Sequence, residues 1–140
     1  MTITEIENEI VGEFELFENW EDKYQFIIDL GKELKPLNEE LKNEDRIIKG
    51  CQSRVWLFSK LIDNKIHFEA DSDAIITKGI VALLIRVLSN QPPDEIINTE
   101  LEFINKIGLK EHLSPTRANG LVSMIKQMKL DALALKSKVA

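Results

Sequence analysis

The hydrophobic period of this 140-residue chain changes twice, and that change constrains the fold more than any other feature. Apolar residues recur every three or four positions up to about Lys35. They alternate or run together from Arg46 to Ala70, and the helical spacing returns from Ala74 onward. Strand spacing confined to one block, with helical spacing on both sides, predicts an α+β domain with helices packed around one sheet.

The first stripe is Ile3, Ile6, Ile10, Phe14 and Phe17, with Glu5, Glu7, Glu9 and Glu13 turned outward. Asn19 is placed to cap a second helix whose face carries Trp20, Tyr24, Ile27, Ile28 and Gly31, and Lys35-Pro36 ends it. Leu37 to Asp45 is polar, with one helical turn at most. Three strands are expected next. Arg46 to Lys49 is a short β-prone run, and Ser53 to Ile62 carries apolar residues on both faces at Val55 to Phe58, as in a strand covered on both sides. Asp63-Asn64 fits a two-residue hairpin turn into a half-buried strand, where Ile66, Phe68 and Ala70 alternate with Lys65, His67 and Glu69.

Asp71-Ser72-Asp73 offers capping side chains for a helix over Ala74 to Leu88, apolar on most sides and read as the central buried helix. Pro92-Pro93 marks a turn, and a short helix over Glu102 to Ile107 stops at Gly108. Ser114-Pro115 then starts a last helix with Leu121, Ile125, Met128, Ala132 and Leu135 on one face. The expected architecture is one domain over 1–140: a small three-stranded antiparallel sheet packed with N-terminal and C-terminal helices.

Composition narrows the function classes. With 44% apolar residues the chain can build a core, and folding at this length buries roughly two-thirds of the exposed surface without a metal or disulfide staple. A single cysteine forms no internal disulfide and fits a reducing, cytoplasmic setting. No apolar run approaches the ~20 residues of a membrane span, and the glutamate-rich start does not read as a signal peptide. A net charge of −6 with no basic stripe argues against nucleic acid and anionic membrane as partners.

That cysteine is the one candidate for chemistry. Cys51 sits in Lys49-Gly50-Cys51-Gln52-Ser53 between the first two expected strands, where Gly50 permits a sharp turn. Arg46, Lys49 and Arg54 bring positive charge that favours a thiolate. The residues alone leave a second reading open, in which Cys51 is a small buried hydrophobe. No metal is expected from one cysteine and the separated His67 and His112. Asp71-x-Asp73 lacks the glycine and terminal glutamate of a calcium loop. An independent thiol enzyme lacks an evident base or second cysteine.

Gly50-Cys51-Gln52-Ser53-Arg54-Val55-Trp56 resembles the G-C-x-S-x-V-W of the SufE-type sulfur-acceptor family. Further blocks resemble the family in order: Asn19 to Tyr24 with Leu30-Gly31, Asp71 to Ala74 with Lys78-Gly79, and His112 to Arg117 with Gly120-Leu121. Arg46 departs from the asparagine many members carry there. The resemblance, which runs from about Glu13 to Leu133, implies a persulfide carrier. Cys51 would take sulfur from a SufS-type cysteine desulfurase, activate it, and pass the sulfur to a cluster scaffold. The pyridoxal phosphate would belong to the desulfurase, leaving this chain without a cofactor. Gly50, Gln52 and Ser53 are then expected to shape the active loop. Arg117 is expected to stabilise a sulfur anion, or else to pair with a surface carboxylate. Asp71 and Asp73 are expected to touch the partner, or else to cap the central helix. The rival function is an interaction domain that regulates a desulfurase, with Cys51 structural.

Overall fold

A computed structural model describes residues 1–140. It is an α+β domain in the order α1 (Ile3–Phe14), α2 (Trp20–Glu33), β1 (Val55–Ile62), β2 (Lys65–Ser72), α3 (Ile75–Leu88), α4 (Pro93–Asn98), α5 (Phe103–Lys106) and α6 (Pro115–Lys136), with short 3-10 turns between. Caps set several of the starts. Thr2 and Glu5 form a reciprocal capping box at α1, and the side chains of Asn19 and Ser114 accept backbone N–H groups at α2 and α6.

The sheet has two strands, β1 and β2, paired antiparallel from Val55↔Ser72 to Ile62↔Lys65. The turn between them is the expected Asp63-Asn64, both with positive φ, as a tight hairpin of this hand requires. The third expected strand, Arg46 to Lys49, does not form. Asn43 caps a 3-10 turn over Glu44–Arg46, and Gly50 turns the chain away at φ 93°. Too few residues lie between to make a strand, so only an isolated bridge, Ile47↔Trp56, remains of it.

Val55, Leu57, Ile66, Phe68 and Ala70 face the core. Trp56 and Phe58, on the other face, are half-buried without a covering element. Lys42 Nζ lies 5.6 Å from the Trp56 ring centre and the Arg46 guanidinium 5.1 Å from that of Phe58, so two cations shield that face.

Helix α3 is the buried centre, with eight of its residues buried, among them Ile80, Leu83, Leu84 and Val87. It crosses α2 backbone against backbone, because a Cβ on Gly31 would lie 2.7 Å from the Gly79 nitrogen. Helix α6 is tied to the inner face of β1 where Ser59 Oγ donates to Asp131 at 2.7 Å. No helix is long and apolar enough to cross a membrane.

Candidate functional site

Cys51 lies on the loop leading into β1, and small residues of α6 set its position. Gly50 is required twice over, by its positive φ and because a Cβ there would run into the Ser123 side chain. One turn earlier on α6, a Cβ on Gly120 would sit 3.5 Å from Cys51 Sγ, an ordinary contact distance, so the thiol lies directly over this glycine. The thiol donates to the Gly120 carbonyl oxygen at 3.5 Å. At the loop's exit the Arg54 N–H donates to Asp73 Oδ1 at 3.0 Å, and Ser72 Oγ donates to the Arg54 carbonyl at 2.8 Å.

Cys51 is half-buried and opens onto a cleft of about 230 Å³ between the loop, α3 and the start of α6. Gln52, Ser53 and Arg117 line it with Cys51, as do Thr77, Gly120 and Met124. Arg117 is exposed and joins none of the ion pairs, so the surface-carboxylate alternative is not realised. It is the one charged residue of the lining. The first turn of α6 adds the positive end of a 22-residue helix to the same rim.

Burial pushes the Cys51 thiol up, with no opposing charge among the causes. The expectation that Arg46, Lys49 and Arg54 would favour the thiolate is therefore corrected. Arg46 is spent on the Phe58 ring, and neighbours in sequence do not offset desolvation. At rest the site holds a protonated, sheltered thiol beside a rim suited to an anion.

The two aspartates part company. Asp73 is exposed and holds the loop exit. Asp71 is buried on β2, where its carboxylate accepts from the Ser72 N–H at 2.8 Å and the Leu37 N–H at 3.4 Å, and pairs with Lys42 at 3.2 Å and Lys78 at 3.3 Å. Burial alone would raise its pKa, but the Ser72 hydrogen bond and the two lysines outweigh that and hold it below the usual range. Neither aspartate caps α3, whose N-cap, Ala74, has no side-chain hydrogen bond. That reading is corrected: the two carboxylates tie down the segments on either side of the cysteine loop instead. Asp71, so enclosed, offers no free carboxylate to a partner.

No group of three or more His, Cys, Asp or Glu side chains is placed to hold a metal ion. His112 instead stacks on Trp20 with ring centres 4.0 Å apart. Three residues of the site were not singled out from the sequence: Thr77, Gly120 as the thiol's acceptor, and Ser123. Thr77 did carry a signal, since it is polar and stands three and seven residues before the buried Ile80 and Leu84.

Residues 8–132 match the family model described as SufE: Fe-S metabolism associated domain. An uncharacterized SufE-like protein of Rhizobium meliloti is 38% identical over 130 residues, covering 89% of this chain and 93% of the relative. One of Rhizobium etli is 40% identical, covering 89% and 88%. SufE-like protein 1, chloroplastic/mitochondrial, of Arabidopsis thaliana is 38% identical over 93% of this chain and 35% of its own length. Among solved structures, a hypothetical protein from Thermus thermophilus shares the fold, with a TM-score of 0.76 at 17% identity, covering 92% of this chain and 94% of its own.

Proposed function

The chain belongs to the SufE family of Fe-S metabolism associated domains, and from that premise we propose that it carries sulfur for cluster assembly as a persulfide on Cys51. The donor is a SufS-type cysteine desulfurase and the receiver a cluster scaffold. The Cys51 thiolate attacks the outer sulfur of the desulfurase persulfide. A new S–S bond forms at Cys51, the old one breaks, and the desulfurase thiolate leaves. No external oxidant or reductant is needed. The pyridoxal phosphate that releases the sulfur belongs to the desulfurase, and this chain works without a cofactor in a reducing, cytoplasmic setting.

The observation that carries this reading is the single thiol on a glycine-turned loop, sheltered at a cleft whose one charged residue is Arg117. Shelter guards the thiol and its product from stray reaction. With no second cysteine, the persulfide has no internal thiol to resolve it into a disulfide. Because burial disfavours the thiolate, docking of the partner has to shift the loop or bring charge before transfer.

The test is desulfurase turnover with wild type and Cys51→Ser. The variant is expected to abolish activation while still binding. Full activation by Cys51→Ser would contradict the proposal and favour the regulatory interaction domain.

A further inference from the structure

Once Cys51 carries an extra sulfur, its Sγ has no proton to give to the Gly120 carbonyl. The outer sulfur is an anion that this carbonyl repels. It must turn from Gly120 toward donors on the cleft wall. Most polar lining residues there, Ser53, Ser114, Thr116 and Arg117, are exposed or half-exposed to solvent. Thr77 differs. It is only 6% exposed, and its hydroxyl makes no hydrogen bond within the protein. No fully buried side-chain N or O atom lacks a partner, so the Thr77 hydroxyl reaches the cleft surface rather than being sealed in the core. An unpaired hydroxyl that opens onto a cleft shared with a nucleophilic sulfur is free to donate into it.

Resting on the persulfide reading above, the geometry points to Thr77 as the donor that receives the outer sulfur of the Cys51 persulfide on the cleft floor. A hydrogen bond from a hydroxyl to an anion in a site of low dielectric favours the ionised form, so Thr77 keeps the persulfide charged and docked. It has no such role toward the unloaded thiol, which is bonded to Gly120. Arg117 is the one other charged group facing the cleft, and the Thr77 substitutions leave it unchanged.

Loading is done in two ways, with a desulfurase plus free cysteine, and with inorganic polysulfide alone. In the second, the Cys51 thiolate takes one sulfur from the polysulfide dianion and releases a dianion one sulfur shorter. The pH profile of alkylation by iodoacetamide is then recorded for loaded and unloaded wild type, Thr77→Val and Thr77→Ser. Thr77→Val is expected to raise the midpoint of the loaded form by about one pH unit, a tenfold change in the ratio of ionised to neutral form. The unloaded midpoint should stay in place, and Thr77→Ser should restore the loaded one. Equal loaded midpoints, or parallel shifts in both forms, would overturn the assignment. Where valine prevents folding, Thr77→Ala replaces it with the same expected outcome. Loading by polysulfide but not by any desulfurase would sink the proposed function and leave the Thr77 assignment to be decided by the same profiles. No loading by either route would sink both.

Discussion

Replacing Gly120 by alanine is expected to make the protein more stable and its cysteine slower. A Cβ built there would meet Cys51 Sγ at 3.5 Å, its Cα at 3.8 Å and its Cβ at 3.9 Å, all ordinary contact distances. The position lies inside α6, where alanine is favoured over glycine by about 0.8–1 kcal/mol. It is also buried, so the new methyl leaves water, adding up to about 0.8 kcal/mol. The sum is a stabilisation of roughly 1–2 kcal/mol, which at this size moves the thermal midpoint up by about 3–7 °C. The same methyl covers one side of a thiol already pushed up by burial, so its pKa rises further. The higher pKa leaves less thiolate at neutral pH. Thermal denaturation followed by circular dichroism reads the first effect, and the rate of alkylation at pH 7 reads the second. A lowered midpoint would show that the berth has no room for a methyl. A raised midpoint with an unchanged alkylation rate would show that Gly120 does not set the solvation of the thiol.

Two further substitutions test the frame around the loop. Gly50→Ala forces a Cβ into a φ of 93° and against Ser123, and should lower stability by at least about 1–2 kcal/mol in urea unfolding, with Ser123→Ala recovering part of the loss. No loss, or full recovery, would contradict the placement of the loop. Asp71 has a folded pKa below its unfolded value, so its stabilisation is present above the unfolded value of about 3.9 and is lost as pH falls through the folded one. Asp71→Asn should therefore cost about 2–3 kcal/mol at pH 7 and progressively less below about pH 4. A pH-independent difference between the two proteins would refute the account of its buried pairing.

The alternation of β2, the Asp63-Asn64 turn and the capped starts of α2 and α6 are decided by neighbours a few residues apart, so they were readable in the chain. Arg46 to Lys49 misled because its β-prone residues are real, yet the turn capped at Asn43 and the reversal at Gly50 leave no length for a strand. The outer faces of Trp56 and Phe58 read as covered, and are, but by single cations from a polar loop rather than by an element. Asp71 looked like a cap because Asp-x-Asp precedes a helix. Its actual partners Leu37 and Lys42 come from a segment that periodicity does not place beside it. At the candidate site, Cys51 and its flanking glycine stood out from local sequence. The Gly120 acceptor lies 69 residues away and Thr77 on another helix, so only the packing of α3 and α6 shows them at one cleft.

The most direct test of sulfur carriage is intact-protein mass spectrometry without reductant, after incubation with a cysteine desulfurase, pyridoxal phosphate and free cysteine. The account predicts a gain of about one sulfur atom on the wild type, reversed by reductant and absent from Cys51→Ser, as thiolate attack on a persulfide requires. A wild type that binds the desulfurase and activates it, yet gains no sulfur, would contradict it and leave Cys51 a part of the structure.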